Sequence, residues 1–266
     1  MESFFAQDVV EMHFDVPYTD SDNPRQKLDL YVPRNADAYP VVVFVHGGFW
    51  QRQDKDYFQP VVGLYRNVGI ALAREGIGTA VINYRLVPDV TFTETFGDVT
   101  AAIAWTQQHI AEYGGDPTHM IIAGHSAGGH MTALAAFDDA RLVAAGVDLT
   151  GIRGYAPLSP IFDLAALAAS SSDDARTVAT VFGADTATHS PRTYFRANVA
   201  PMLVILGGDD LAALKTQVPI AVDDLQRLGA PIEFVTIPGK SHEDIVVDFD
   251  TDADRVTPLL APFVQR

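Results

Sequence analysis

The chain contains no cysteine, and this absence removes several kinds of chemistry. Disulfide bonds, thiolate metal sites and cysteine nucleophiles are all excluded. Long apolar runs are also missing, since no stretch approaches the ~18 residues that a membrane-spanning helix needs. The first residues lack a basic region followed by an apolar stretch, so no signal peptide is visible. We therefore expect a soluble, cytoplasmic protein that does not enter a membrane.

Basic residues are scarce: 18 Lys and Arg stand against 34 Asp and Glu, for a formal net charge of -16. Nucleic acids and anionic membrane surfaces bind proteins through Lys and Arg, so neither is an expected partner. Hydrophobic residues make up 48% of the 266 residues. This composition is ordinary for a globular protein, and the length suffices for one large domain with its own core.

The residues that could suggest a metal or cofactor do not match the known motifs. The aspartates at 248, 250, 252 and 254 alternate as in a calcium loop, but Ala253 replaces the required glycine and Leu259 the final glutamate. His125 and His130 lack a third ligand at a suitable spacing. Glycine-rich stretches do not fit phosphate-binding fingerprints. We therefore expect neither a metal nor a cofactor.

The hydrophobic pattern alternates between strands and helices. The first two predicted strands alternate apolar and polar residues, as an antiparallel pair does, and the later strands are apolar throughout, as doubly buried strands are. Strands are predicted at residues 10–17, 27–32, 41–45, 78–83, 120–124, 152–157, 202–206 and 232–237. Helices are predicted at 57–74, 92–113, 126–137, 175–182, 214–228 and after Thr257, with Thr257 as N-cap and Pro258 at the first position. This order predicts one α/β domain over residues 1–266, with a mainly parallel sheet and helices on both faces.

Residues 159–198 interrupt this regular pattern. Serines and aspartates replace the apolar residues, apart from one short helical piece. We expect a small lid or cap insertion here and not a second domain.

Residues 120–130 contain the clearest functional signal. An apolar run ends in Gly124-His125-Ser126-Ala127-Gly128, and a helical pattern follows at once. A strand, a tight turn and a helix place the serine at the apex, which is the geometry of a nucleophile elbow. Glycines stand two positions on either side, where a β-carbon would collide with the folded backbone. Ser126 is therefore the predicted nucleophile.

Three further strand ends carry polar residues. The sequence His-Gly-Gly at 46–48 follows the third predicted strand, Asp209 and Asp210 follow the seventh, and His242 follows the eighth. In such sheets, active sites lie at the C-terminal edge of the strands. A serine nucleophile needs a base, the base needs an acid, and the chain order Ser, Asp, His belongs to this kind of fold. His242 is the predicted base, and either Asp209 or Asp210 can orient its imidazole.

The oxyanion formed by serine attack needs donors that are already in place. Backbone N–H groups of Ala127 and of the loop formed by Gly47, Gly48 and Phe49 can supply them. His46 is expected to support this loop by hydrogen bonding. Phe49 and Trp50 are candidates for lining a substrate pocket, with plain loop packing as the alternative.

Two motifs carry a resemblance to a known superfamily. His46-Gly47-Gly48-Phe49-Trp50 and Gly124-His125-Ser126-Ala127-Gly128 resemble those of the hormone-sensitive-lipase-like esterases, which are α/β-hydrolases. The H-G-G-x-W variant, followed by Gln51 and Lys55-Asp56, is closer to kynurenine formamidases and related bacterial esterases. The resemblance covers nearly the whole chain from about Pro24. Phe49 departs from the third glycine of the lipase-like pattern, and Glu243 departs from the aromatic residue that commonly follows the catalytic histidine in formamidases.

The resemblance implies a fold, a reaction and one choice of residue. It implies an α/β-hydrolase fold, and it favours Asp210 over Asp209 as the acid. The leading hypothesis is a carboxylesterase that cleaves small, mostly apolar esters through an acyl-enzyme. The alternatives are an arylformamidase hydrolysing N-formylkynurenine and, in another class, a non-catalytic α/β-hydrolase that binds a ligand. The expected partner is a small-molecule ester or amide substrate, and the oligomeric state is left open.

Overall fold

An eight-stranded sheet runs through the computed structural model, which describes residues 9–57 and 63–266. The strands are β1 (Val10–Pro17), β2 (Lys27–Pro33), β3 (Tyr39–Val45), β4 (Gly78–Ile82), β5 (Gly115–His125), β6 (Ile152–Leu158), β7 (Met202–Asp209) and β8 (Ile232–Ser241). Their spatial order is β1-β2-β4-β3-β5-β6-β7-β8. Strand β1 pairs antiparallel with β2, and β2 pairs antiparallel with β4. Every later pair is parallel, so the predicted α/β fold class is confirmed.

Helices cover both faces of this sheet. The longer ones are α1 (Arg66–Arg74), α2 (Phe92–His109), α3 (Ala127–Phe137), α6 (Ser172–Phe182), α7 (Ala212–Leu228) and α9 (Thr257–Val264). The shorter ones are α4 (Ala140–Ala144), α5 (Leu164–Ala168) and α8 (Asp244–Val247). No helix in the described part of the chain is long and apolar enough to span a bilayer.

The strand β3 shows how the sheet forms two cores. Val41, Val43 and Val45 pack on the face that α2, α3 and α7 cover. Val42 and Phe44 point to the opposite face, beneath α1, α8 and α9. Because successive side chains of a strand alternate between faces, a strand that is apolar at every position fits between two helical layers.

One predicted helix is shorter than expected. The helix predicted at residues 57–74 begins only at Arg66, and part of the predicted range, residues 58–62, lies outside the described residues. Tyr57 pairs instead with Leu64 in an antiparallel bridge. Tyr65 adopts a left-handed φ of 74°, which a helix cannot contain. Its buried hydroxyl lies in the hydrogen-bond network of the loop at residues 46–50, so tertiary contacts override the apolar periodicity.

The start of the C-terminal helix also differs from the prediction, by one residue. The N-cap of α9 is Val256, one residue earlier than predicted, which places Thr257 and Pro258 at the first two helical positions. Asp254 accepts hydrogen bonds from the backbone N–H groups of Val256 and Thr257. Asp248 pairs with Lys240, and Asp250 pairs with Arg74. Three of the four alternating aspartates therefore already have partners within the chain.

Residues 159–198, called the insertion below, connect β6 to β7. They contain α5, α6 and a 3-10 helix (Pro191–Tyr194). The predicted helix at 175–182 begins three residues earlier, at Ser172, where the side chain of Ser171 accepts a hydrogen bond from Asp174 N. Val178, Val181 and Phe182 are buried, so the end of α6 packs onto the body of the protein.

Candidate active site

Ser126 lies in the turn between β5 and α3, as predicted. Its φ of 57° and ψ of -116° are rare for a residue with a side chain, and they mark local strain. A β-carbon at Gly128 would lie 2.0 Å from Val45 O, and one at Gly124 would lie 2.6 Å from Gly128 O. Only glycine fits these two positions, which is why the backbone can turn this sharply.

The side chains of His242 and Asp210 come together beside this turn. His242 Nδ1 donates to Asp210 Oδ1 at 2.8 Å, which leaves Nε2 as the basic ring nitrogen. His242 follows β8 directly, and Asp210 follows its neighbour β7. Asp210 is 3% exposed, whereas Asp209 is exposed to solvent. The geometry therefore selects Asp210 from the two candidates.

The carboxylate of Asp210 is held at both oxygens. Oδ1 also accepts from Leu211 N at 2.7 Å, and Oδ2 accepts from Ser159 Oγ at 2.5 Å. Burial opposes the charged form, but the hydrogen bonds from His242, Ser159 and Leu211 outweigh it and lower the pKa of Asp210. Sequence reasoning missed Ser159. It follows the last residue of β6, so the strand-end rule that found the other residues could have found it.

His125, next to Ser126, contacts the backbone of His242. Its Nε2 donates to the backbone oxygen of His242 at 2.9 Å, and the two rings lie 4.7 Å apart. Burial, helped by the nearby His242, lowers the pKa of His125 to about 3. A neutral His125 thus anchors the backbone of His242. Sequence reasoning considered His125 only as a metal ligand.

The loop at residues 46–50, called the oxyanion loop below, differs from expectation at Gly47. Gly47 N donates to the buried Tyr65 hydroxyl at 3.0 Å, and that hydroxyl donates to Gln53 Oε1 at 2.6 Å. Because its N–H is already engaged, Gly47 does not fit the role of oxyanion donor. Its carbonyl instead accepts a 2.7 Å hydrogen bond from His46 Nδ1, consistent with the predicted support by His46.

The remaining predicted donors are Gly48, Phe49 and Ala127. Within the described residues, no protein acceptor takes the N–H of Gly48 or Phe49. Ala127 is the first residue of α3, where backbone N–H groups lack an intrahelical partner. Gly48 has a φ of 108°, and a β-carbon there would lie 2.0 Å from Arg52 O. Gly48, Phe49 and Ala127 therefore remain the candidate donors for a developing negative charge.

Phe49 and Trp50, the two candidates for a substrate pocket, occupy different environments. Phe49 is half-buried, and the guanidinium of Arg52 lies over its ring at 4.8 Å. Trp50 is 1% exposed and packs against His130 and Phe182. A substrate could touch Trp50 only if the end of α6 moved away, so the structure favours the packing alternative for Trp50.

His130, one of the two histidines considered as metal ligands, is engaged within the chain instead. Across residues 9–57 and 63–266, no three His, Asp or Glu side chains form a cluster suited to a metal ion. His130 Nδ1 accepts from the Trp50 indole at 3.3 Å, and His130 Nε2 donates to His189 O at 2.8 Å. The site combines the hydroxyl of Ser126, the imidazole of His242 paired with the carboxylate of Asp210, and backbone N–H groups. These are the groups that acyl transfer requires.

Comparisons with known proteins agree with this description. The family model described as BD-FAE matches residues 28–221. Isoprenylcysteine alpha-carbonyl methylesterase of Arabidopsis thaliana is 28% identical over 246 residues, covering 84% of this chain and 55% of that protein. The probable carboxylic ester hydrolase LipM of Mycobacterium tuberculosis is 29% identical over 231 residues, covering 82% and 51%. The chain thus spans about half the length of these curated relatives.

Solved structures share the fold. Esterase B from Lactobacillus rhamnosis superposes with a TM-score of 0.83 at 24% identity, covering 96% of this chain and 85% of that one. A truncated carbohydrate esterase from gut microbiota superposes with a TM-score of 0.78 at 21% identity, covering 96% and 95%. At this level of identity the likeness concerns the fold.

Proposed function

Because the chain belongs to the BD-FAE family, we propose that it is a serine hydrolase that cleaves carboxylic esters. The observation that carries this proposal is the 2.8 Å hydrogen bond from His242 Nδ1 to Asp210 Oδ1, beside the strained turn of Ser126. We assign Ser126 as nucleophile, His242 as general base and Asp210 as the acid that orients it. The names of the relatives include several kinds of esterase, so the ester bond is the feature that they share.

The first half of the reaction forms an acyl-enzyme. Ser126 Oγ attacks the carbonyl carbon while His242 Nε2 takes its proton, and Asp210 stabilises the resulting imidazolium. The N–H groups of Gly48, Phe49 and Ala127 bind the oxyanion, and loss of one such donor typically costs ~3 kcal/mol of barrier. The bond to the alcohol oxygen then breaks, and His242 gives the proton to the leaving alcohol.

The second half regenerates the enzyme. Water attacks the acyl carbon, and His242 takes one of its protons. The second tetrahedral intermediate collapses, the bond to Ser126 Oγ breaks, and Oγ regains the proton from His242. The products are a carboxylic acid and an alcohol, and the enzyme returns to its starting state.

A ligand-binding role without catalysis explains the geometry less well. A left-handed Ser126 costs about 1–3 kcal/mol in backbone strain. The buried carboxylate of Asp210 is held at both oxygens, with Oδ1 accepting from His242 Nδ1 and Oδ2 from Ser159 Oγ. A binding protein needs neither feature, whereas a serine hydrolase needs both.

The surroundings favour an apolar substrate. Phe49 is half-buried on the oxyanion loop, and Leu211, next to Asp210, is 45% exposed. The segments that carry the proposed oxyanion donors and the proposed acid thus each present an apolar side chain to solvent. We also propose that residues 1–266 act as one domain, in which the insertion covers the site as a small lid.

The test is a comparison of kcat/KM for a p-nitrophenyl ester series, from acetate to dodecanoate, with kcat/KM for N-formylkynurenine. We expect measurable hydrolysis of the short esters, and loss of it in Ser126→Ala. A p-nitrophenyl phosphonate should label the wild-type protein but not this variant, as read by mass spectrometry. Full activity of Ser126→Ala would refute the nucleophile assignment, and a strong preference for the formamide would identify an arylformamidase instead.

A further inference from the structure

Trp50 lies in a loop but is held by a backbone hydrogen bond and by complete burial of its side chain. Its backbone oxygen accepts from Val87 N at 3.0 Å, and its side chain is 1% exposed. Phe49 and Trp50 both have left-handed φ values, of 57° and 61°, and directly follow Gly48 at 108°. Such a backbone persists only when its surroundings hold it in place. The direction of the N–H groups of Gly48 and Phe49 therefore depends on how Trp50 is fixed.

His130 fixes the indole through a hydrogen bond of defined direction. The Trp50 indole can only donate, so at 3.3 Å His130 Nδ1 must be the acceptor. A neutral imidazole then carries its proton on Nε2, which donates to the backbone oxygen of His189 at 2.8 Å. The result is one chain of hydrogen bonds that runs from Trp50 through His130 to His189.

This chain of hydrogen bonds connects three parts of the fold. Trp50 belongs to the oxyanion loop, and His189 belongs to the insertion. His130 lies on α3 and donates its backbone N–H to Ser126 O at 2.8 Å, one turn from the nucleophile. His130 is fully buried, and burial lowers its pKa to about 3, so it stays neutral at the pH of an assay.

Aromatic packing surrounds the hydrogen bonds. The Phe182 ring, at the end of α6, lies 4.9 Å from Trp50 and 5.7 Å from His130. Phe92, at the start of α2, lies 4.6 Å from Phe182 and 5.6 Å from His130. The insertion therefore packs onto the same two side chains that form the hydrogen-bond chain.

We propose that His130 is a positioning residue that couples the insertion to the oxyanion loop, by holding Trp50 and thereby the N–H groups of Gly48 and Phe49. This inference rests on the proposed ester hydrolysis and extends it. His130 does not touch the substrate. It acts through Trp50, and an insertion whose His189 separates from His130 releases the oxyanion donors as well.

Four variants separate hydrogen bonding from packing. His130→Phe keeps a ring but removes both hydrogen bonds, and Trp50→Phe removes the indole donor. His130→Gln keeps one acceptor and one donor and should restore function. Phe92→Leu is the matched control, because it changes the packing against His130 and His189 but removes no hydrogen bond. Activity is measured on p-nitrophenyl acetate per active site, after titration with a p-nitrophenyl phosphonate.

We expect His130→Phe and Trp50→Phe each to lower kcat about tenfold with little change in KM, since oxyanion donors bind the transition state more strongly than the substrate. The double variant should lose no more than either single variant, because both cut the same hydrogen bond. His130→Gln should recover most of kcat, and Phe92→Leu should stay within about twofold of the wild type. An unchanged kcat in Trp50→Phe, or losses that multiply in the double variant, would overturn the proposal.

A second measurement does not depend on hydrolysis. The chain has two tryptophans, so an 15N-labelled sample gives two indole N–H signals. Trp105, half-buried and stacked on His109 at 4.7 Å, serves as the internal reference. His130→Phe should shift the Trp50 signal and speed its exchange with D2O, while His130→Gln preserves it. A Trp50 signal indifferent to His130→Phe would contradict the inference, whereas a wild-type protein that cleaves no ester would contradict the proposed function.

Discussion

Ser159 Oγ donates a 2.5 Å hydrogen bond to Oδ2 of Asp210, the oxygen opposite the one that accepts from His242. Ser159 is fully buried and has a left-handed φ of 46°, and its backbone N–H donates to Ile205 O at 2.8 Å. The end of β6 therefore supplies a second anchor for an acid that β7 carries. With both oxygens held, the carboxylate of Asp210 cannot rotate away from His242.

Replacing Ser159 tests this anchor. We expect Ser159→Ala to lower kcat about tenfold, because a hydrogen bond to a charged group contributes about 1.5–3 kcal/mol and its loss leaves Oδ2 with only the longer 3.3 Å bond from Gly207 N. Steady-state kinetics on p-nitrophenyl acetate measures the effect. Ser190→Ala is the matched control: Ser190 is also buried and hydrogen-bonded, but it lies in the insertion and contacts Leu164 and Thr186. An equal loss of kcat in both variants would argue against a specific role for Ser159.

The adjacent aspartates provide a second paired test. Asp210→Asn should lower kcat by roughly 10³–10⁴-fold, because an amide in this position no longer stabilises the imidazolium and can select the wrong tautomer. Asp209→Asn should change kcat less than about twofold, since that side chain is exposed and a surface charge is largely screened. The measurement is kcat/KM of both variants beside the wild type. A larger loss for Asp209→Asn would reverse the assignment.

Sequence patterns predicted the sheet and the elbow because both depend on local features. An apolar run followed by Gly124, Ser126 and Gly128 specifies a buried strand and a sharp turn without help from the rest of the chain. The resemblance to α/β-hydrolase esterases is likewise confirmed by the family match. The strand ends follow from the same periodicity, which places Ser126, the pair Asp209 and Asp210, and His242 directly after strands; the preference for Asp210 came from the resemblance.

The features that sequence patterns did not predict depend on distant contacts. Gly47 is unsuited as a donor only because Tyr65, 18 residues away, accepts its N–H. Ser159 matters because it meets Asp210 across 51 residues of chain. Periodicity carries no information about such pairs, since it reports which face of an element is buried and not what that face meets.

The elbow glycines lead to a stability prediction. A β-carbon at Gly128 would lie 2.0 Å from Val45 O, a backbone atom that cannot move aside. We expect Gly128→Ala to lower the free energy of unfolding by more than about 3 kcal/mol or to prevent folding, as strained core substitutions do. Gly97→Ala is the matched control, because Gly97 is exposed in α2 and a β-carbon there meets nothing within 4 Å. Urea unfolding should show it stabilised by about 0.5–1 kcal/mol, and a tolerated Gly128→Ala would contradict the elbow geometry.

Three buried histidines predict how stability depends on pH. Burial lowers the pKa of His46 to about 4 and those of His125 and His130 to about 3. In the unfolded chain these groups titrate near 6.5, so below that pH the unfolded state binds protons that the folded state does not. The contribution of these three groups to the free energy of unfolding is therefore fully present above pH 6.5 and is lost progressively as the pH drops toward 4.

Replacing one of these histidines should reduce the slope of the free energy of unfolding against pH by the contribution of one titrating group. His130→Gln should make the loss of stability between pH 6 and 5 shallower by up to about 1.4 kcal/mol per pH unit, the contribution of one group that only the unfolded state protonates. Urea unfolding at pH 7, 6 and 5 measures the slope. Thr106→Val is the control, because Thr106 is fully buried and does not titrate, so it should shift stability equally at each pH. The same slope in His130→Gln as in the wild type would mean that His130 takes up protons equally in the folded and unfolded states, which its burial between Trp50 and His189 does not allow.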